Sequence, residues 1–276
     1  MDKEKILELR KKWMSQVFVR LEIVKALNGH ELSFISAKGE EKKLAIRYLF
    51  ARSIEYLDKH TAWANFDKKL LNMYMSVVTL KNIPIFSYNL EKRLSDEKYK
   101  EFNKNYQNYV INSDFFVDMD GKEDFETCLK ETKELKKILE EYRVPYWIMN
   151  SSLKGFHFHI PQQFMPDFNE NSLKLIGEVM HNLKGVHSFT CLDDSICDLK
   201  RLCKVPLSSV CDGSVCLPLT DAQVENFRPE NVEIENVLRT ITIKNRGLLL
   251  RDYGLDSSVL KENTKKFLAD YSEEFK

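Results

Sequence analysis

The sequence lacks any apolar run long enough to cross a bilayer. Its first residues, MDKEKILELRKKW, are charged where a secretory leader would be apolar. These two absences predict a soluble intracellular protein, of cytoplasm or nucleus, with no membrane partner. An excess of charge of either sign is missing too, with 42 basic and 42 acidic residues. Nucleic acid would therefore have to be held by a local basic stripe rather than by overall attraction. There is no internal repeat, no low-complexity segment and no long Pro/Gly/Ser linker. A GxxxxGK[ST] phosphate loop is absent, and no room remains for a further large domain. A fused helicase or ligase is therefore not expected. Close C-x₂-C pairs are absent as well. Of Cys128, Cys191, Cys197, Cys203, Cys211 and Cys216, only the last two come near zinc spacing, with four residues between them. Reduced, buried cysteines are expected in place of a structural zinc.

What remains is 43% hydrophobic and 30% charged, enough for a real core in 276 residues. One large domain, or one with a small appendage, follows. Ile6, Leu9, Trp13, Val17, Leu21 and Val24 recur at helical spacing and predict a helix over 1–28. Residues 40–60 and 65–75 read as largely helical. Strand residues fill 109–119 and stop at Asp120-Gly121. An amphipathic helix follows from Phe125 to Tyr142. Val144–Met149 reads as a strand, Ser151–Gly155 as a turn and Phe156–Ile160 as a strand. A helix over 170–183 precedes strands near 188–193, 201–205 and 214–219, and a polar helix covers 256–275. This order predicts an α+β fold with a mixed or antiparallel sheet and flanking helices.

FVDMDG carries the first chemical signal. Residues i and i+2 of a strand share a face, so Asp118 and Asp120 project together while Val117 and Met119 point into the core. Two adjacent carboxylates repel unless a cation lies between them, and a divalent ion is the usual remedy. Magnesium favours a few carboxylates completed by substrate phosphates. A bare DxD is also a common surface turn, so the pair alone decides little. Asp114 reads as structural. Asp193 or Asp194 offers a third carboxylate.

NSSLKGFHFHIP carries the second signal. Ser151, Ser152 and Lys154, with free backbone amides, suit a phosphate. Gly155 permits close approach. His157 shares a strand face with His159, opposite Phe156, Phe158 and Ile160. The third segment, DLKRLCKVPLSS, places Lys204 on a strand face with Cys203 buried behind it. Arg201 and Ser208 flank it. By itself this segment is equally a solvated basic edge.

Taken in order, these segments resemble the archaeo-eukaryotic primase superfamily. FVDMDG at 116–121 matches the strand ending in two aspartates. Ser151-Ser152-Leu153-Lys154-Gly155-Phe156-His157 matches the serine–glycine–histidine turn. Asp193 through Arg201-Leu202-Cys203-Lys204-Val205-Pro206-Leu207-Ser208 matches the third motif, and MYMSVV at 73–78 the strand before the first. Ser152 stands where glycine is usual, and Val210 where many members have histidine. The resemblance covers roughly residues 46–220. It implies a primase catalytic core with an RNA-recognition-like subdomain over 46–225, an N-terminal helical segment over 1–45 and a C-terminal extension over 226–276. It implies that Asp118, Asp120 and Asp193 hold two divalent ions, Mg²⁺ or Mn²⁺. Ser151, Ser152, Lys154, Gly155, His157, Arg201, Lys204 and Ser208 would bind the nucleotide. The activity implied is DNA-templated nucleotidyl transfer, as a primase or primase-polymerase using a single-stranded DNA template and NTP or dNTP. A primase large subunit or a replicative helicase would be a partner. Two alternatives stand beside it, an end-joining-type polymerase and a non-catalytic nucleic-acid-binding module of the same fold. A metal-dependent phosphohydrolase would use clustered aspartates but explains neither the turn nor the third motif.

Overall fold

A computed structural model describes residues 1–36, 45–66, 68–84, 86–87, 90–121, 124–169, 171–195, 197–240 and 249–272. Among them, strands run over Leu32–Ser36 (β1), Ala45–Leu49 (β2), Leu71–Ser76 (β3), Val78–Leu80 (β4), Val110–Ser113 (β5), Phe115–Asp120 (β6), Trp147–Asn150 (β7), Gly155–Ile160 (β8) and Leu202–Lys204 (β9). Helices run over Lys3–Met14 (α1), Val17–Ala26 (α2), Ile54–Trp63 (α3), Leu90–Ser95 (α4), Glu97–Lys104 (α5), Phe125–Glu141 (α6), Ser172–His187 (α7), Asp221–Glu225 (α8), Ile234–Thr240 (α9) and Ser257–Asp270 (α10). The chain divides into two compact units, Met1–Asn112 with Leu199–Cys211, and Ser113–Asp198 with Asp212–Lys276. No described helix is long and apolar enough to cross a membrane.

The first unit is built on a sheet of order β2-β1-β3-β9 with antiparallel neighbours. A second, two-stranded sheet pairs β4 with β5. Phe102 and Tyr106 close a small aromatic core under Val78, Leu80 and Phe86. The single N-terminal helix expected over 1–28 is instead two helices broken at Ser15 and Gln16. The Ser15 hydroxyl donates to the Lys12 carbonyl, and Gln16 is extended. The break rotates the apolar face. Trp13 is buried, but Val17 and Leu21 are exposed, and Val19 and Ile23 are buried in their place. Helical spacing carried past the break assigned the wrong side of α2.

The 65–75 segment is not helical: α3 ends at Trp63, and Leu71–Ser76 forms β3 between β1 and β9. Residues 40–60 hold β2 and α3 rather than one helix, and 37–44 lie outside the described residues. Tertiary pairing overrode local propensity in both places.

The second unit carries an antiparallel sheet of order β6-β8-β7. Register partners in such a sheet share a face. One face presents Phe115, Val117 and Met119 beside Phe156, Phe158 and Ile160, all buried. Helix α6 packs on β6 and β8. Its start is capped by Asp124, whose carboxylate accepts from the Thr127 amide and hydroxyl. Its buried residues include Cys128, Leu129, Leu135, Ile138 and Leu139, the amphipathic face expected. Phe267 of α10 meets Phe115 edge-on at 6.0 Å. Residues 188–193 and 214–219 are not the strands expected. They contribute isolated bridges, Leu192 to Met119, Pro218 to Met149 and Ser214 to Glu233. The six cysteines form no disulfide. The architecture is α+β with small antiparallel sheets and flanking helices.

Candidate active site: paired carboxylates, a facing histidine and a pinned turn

The other face of β6-β8-β7 carries the polar residues. In register, Asp118 lies opposite His157, Asp120 opposite Gly155 and Phe116 opposite His159. His157 Nε2 stands 3.5 Å from Asp118 Oδ1, an ion-pair distance long for a hydrogen bond. The histidine side chain is 5% exposed and the aspartate 28%, so the carboxylate reaches solvent and the imidazole barely does. Phe116 packs edge-on against the His157 ring at 4.8 Å. The buried His157 Nδ1 has no hydrogen-bond partner among the described residues.

His159 is fully buried and stacks on Trp147, ring centres 3.9 Å apart. Its Nδ1 stands 3.2 Å from Asp114 Oδ2, and Asp114 Oδ1 accepts from the Gln162 amide at 2.9 Å. Asp114 therefore works inside the fold, as its position before β6 suggested.

The third carboxylate arrives by backbone pairing. The Asp193 amide donates to the Asp118 carbonyl at 3.0 Å, and the Asp120 amide donates to the Cys191 carbonyl at 2.8 Å. The 191–193 segment is thus a short edge laid along the end of β6. Asp193 Oδ1 accepts from the Ser195 amide and hydroxyl at 3.0 and 2.6 Å. Its neighbour Asp194 is directed elsewhere. Lys184 lies 2.8 Å and His181 3.4 Å from its oxygens, and the hydrogen bond from Lys184 draws the Asp194 carboxyl below the usual carboxylate range.

The Ser151–Gly155 turn is fastened at several points. Asn150, wholly buried, accepts from the Leu217 amide at 2.8 Å and donates to the carbonyls of Val215 at 2.8 Å and Ser152 at 3.3 Å. Asp212 Oδ2 accepts from the Leu153 amide at 3.1 Å. The Ser151 amide donates to the Gly155 carbonyl and the Lys154 amide to the Ser152 hydroxyl. Three amides expected to be free for a phosphate are therefore engaged within the protein. The Lys154 side chain is what this turn presents to solvent. Lys154 is exposed and makes no ion pair among the described residues. A Cβ on Gly155 would lie 2.6 Å from Ser151 Oγ and 3.1 Å from the Met119 carbonyl oxygen. The Gly121 amide donates to the Lys154 carbonyl, joining the turn to the end of β6. Neither Asn150 nor Asp212 is singled out by the sequence, because their work is done through tertiary hydrogen bonds.

Arg201, Lys204 and Ser208 belong to the first unit. There Lys204 pairs with Tyr74 in register and its ammonium lies 4.7 Å above the Tyr74 ring. Cys203 is buried behind it, as expected. The Arg201 carbonyl accepts from the Val77 amide. Ser208 is fully buried and its hydroxyl donates to the Val205 carbonyl at 2.7 Å.

Among the described residues, no three His, Cys, Asp or Glu side chains stand close enough to form a metal cage. The donors on one strand face are the two aspartates Asp118 and Asp120, and Asp193 joins that strand end through its backbone amide. Two carboxylates fit a divalent ion whose coordination is completed by water and substrate phosphate, as magnesium prefers. They do not fit a closed structural site.

No family model and no curated protein sequence matches the chain. Among solved structures, the polymerase domain of Ligase D from Mycobacterium tuberculosis, in complex with DNA, aligns over 92% of this chain and 93% of its own, at TM-score 0.53 and 11% identity. The catalytic domain of primase RepB′, in complex with initiator DNA, aligns over 81% of this chain and 97% of its own, at TM-score 0.41 and 11% identity. The chain has the fold of that Ligase D polymerase domain.

Proposed function

We propose that the chain is a DNA-templated nucleotidyltransferase that makes or extends primers, a primase or primase-polymerase. The observation that carries this reading is the pair Asp118 and Asp120 on one strand face, with His157 opposite Asp118 on the paired strand. The fold is consistent with it, and the Ligase D polymerase domain of similar fold is in complex with DNA. A single-stranded DNA template and an NTP or dNTP are the substrates. A primase large subunit or a replicative helicase is the partner class.

In this reading Asp118, Asp120 and Asp193 hold two divalent ions, Mg²⁺ or Mn²⁺. Such ions, when bound, make a 3′-hydroxyl more acidic and stabilise charge on an in-line phosphoryl transition state. The protein's own residues bind and orient. His157 stands beside Asp118 with Phe116 edge-on against its ring, and its role is to offer Nε2 to a triphosphate oxygen. Ser151, Ser152, Lys154 and Gly155 form the rigid turn beside it, with the Lys154 ammonium as the mobile counter-charge. For Arg201, Lys204 and Ser208 the nucleotide-binding role rests on the sequence resemblance and not on their placement.

The test is primer synthesis on single-stranded DNA with labelled nucleotides and Mg²⁺ or Mn²⁺. The Asp118→Ala/Asp120→Ala double variant is the control. Product made without a primer, and lost in the control, establishes a primase.

A second reading, a polymerase that only extends, is favoured by the likeness to a ligase polymerase domain over nearly the whole chain. Product that requires a supplied primer selects it. DNA binding with no product under either condition would leave a non-catalytic binding module.

A further inference from the structure

Glu131 sits inside α6 and is only 7% exposed. A carboxylate buried this far is costly unless its lone pairs are filled. Here they are filled by one short segment. Oε1 accepts from the Thr190 amide and from the Thr190 hydroxyl, both at 2.8 Å, and Oε2 accepts from the Cys191 amide at 2.8 Å. The same segment continues directly into the candidate site. The Cys191 carbonyl accepts from the Asp120 amide, Leu192 bridges Met119, and the Asp193 amide donates to the Asp118 carbonyl. The 190–193 stretch is thus held by Glu131 on one side and by the end of β6 on the other. It is not part of a regular sheet, so the carboxylate replaces the strand partner that would otherwise fix its course.

We propose that Glu131 is the positioning residue for the third carboxylate, setting where Asp193 stands relative to Asp118 and Asp120 by clamping the two amides that precede Leu192. The proposal rests on the reading of the three aspartates as metal ligands. Glu131 itself touches no reacting group. Its effect passes through the backbone of Thr190 and Cys191.

The experiment is a titration of the full chain with Mn²⁺, followed by loss of the free-ion electron paramagnetic resonance signal, with Tm measured on each sample. Glu131→Gln keeps one acceptor oxygen and should fold, but it turns an amide donor towards one of the backbone donors. It should weaken Mn²⁺ binding about tenfold or more, the usual cost of disturbing an outer-shell partner. Asp193→Asn should weaken it at least as much. Leu135→Ala, a buried apolar truncation on the same helix, should lower Tm and leave Mn²⁺ affinity unchanged. Unchanged affinity in folded Glu131→Gln, with Asp193→Asn impaired, overturns the positioning role alone. So does an equal loss in Leu135→Ala, which would make the effect one of general destabilisation. A wild-type chain that binds no Mn²⁺, or an Asp118→Asn variant that binds it normally, removes the metal reading and the inference with it.

Discussion

Asp118 and His157 are register partners across the antiparallel β6–β8 ladder, with Nε2 3.5 Å from Oδ1 and the far ring nitrogen buried without a partner. Adjacent strands fix this pairing by backbone alone, so neither side chain needs the other to reach its place. The pair can therefore be taken apart by mutation without dismantling the sheet.

His157→Ala should accordingly weaken nucleotide binding while leaving DNA binding close to wild type. Nucleotide affinity measured by calorimetry, and template affinity by fluorescence anisotropy, check this separately. A lost charge-assisted hydrogen bond costs about 1.5–3 kcal/mol, so a roughly 10- to 150-fold weakening is expected. Unchanged nucleotide affinity would remove His157 from the site.

Alanine at Asp118 or at Asp120 should reduce nucleotide incorporation by more than about a hundredfold, beyond what outer-shell changes usually cost. Far-ultraviolet circular dichroism and Tm should stay near wild type, because both carboxylates lie off the packed face of β6. Full activity in either well-folded variant would end the metal assignment.

Asp193 and Asp194 should behave differently although they are adjacent. Asp193 is tied to Asp118 through its amide, whereas the Asp194 carboxylate is paired with Lys184. Asp193→Asn should abolish incorporation and Asp194→Asn should retain most of it. The Asp194 pair also carries a pH signature. Its carboxyl is drawn below the ordinary range by Lys184. The stability it contributes is present above the unfolded value near pH 4 and lost as pH falls through the lower folded value. Tm followed from pH 6 to pH 3 in wild type and Asp194→Asn should therefore converge at the acid end. A gap that widens on acidification would contradict the assignment.

Much of this site is legible in the sequence because it is built on strands. Period-two alternation placed Asp118 and Asp120 on one face and Phe156, Phe158 and Ile160 on the other, and the structure has them so. Helical periodicity failed for α2, where a break at Ser15–Gln16 shifts the helical phase and buries Val19 in place of Val17. Both rules were silent about Asn150, Asp212 and Glu131. Each is a polar residue with at least one partner 59 to 67 positions away in the chain. No local pattern encodes such a pairing. The free amides expected in the 151–155 turn show the same limit, since Asp212 takes one of them from a distance.

The join between the turn and β6 offers the last test. The Gly121 amide donates to the Lys154 carbonyl, and a Cβ at Gly121 would lie 2.5 Å from that oxygen and 2.6 Å from Cys128 Cβ. Neither neighbour is the loose end of a flexible side chain. One is backbone and the other the first side-chain carbon of a buried residue on α6. Gly121→Ala must therefore push the turn away from the strand end or push α6 outward. Overpacking of this kind costs about 1–3 kcal/mol, visible as a lower Tm. If the turn moves, Lys154 and His157 lose their relation to Asp118, and nucleotide KM should rise more than kcat falls. If α6 moves instead, the Glu131 contacts to Thr190 and Cys191 lengthen, and the loss should appear in metal dependence. A Gly121→Ala variant with wild-type Tm and kinetics would mean that the strand end and the turn are not in contact.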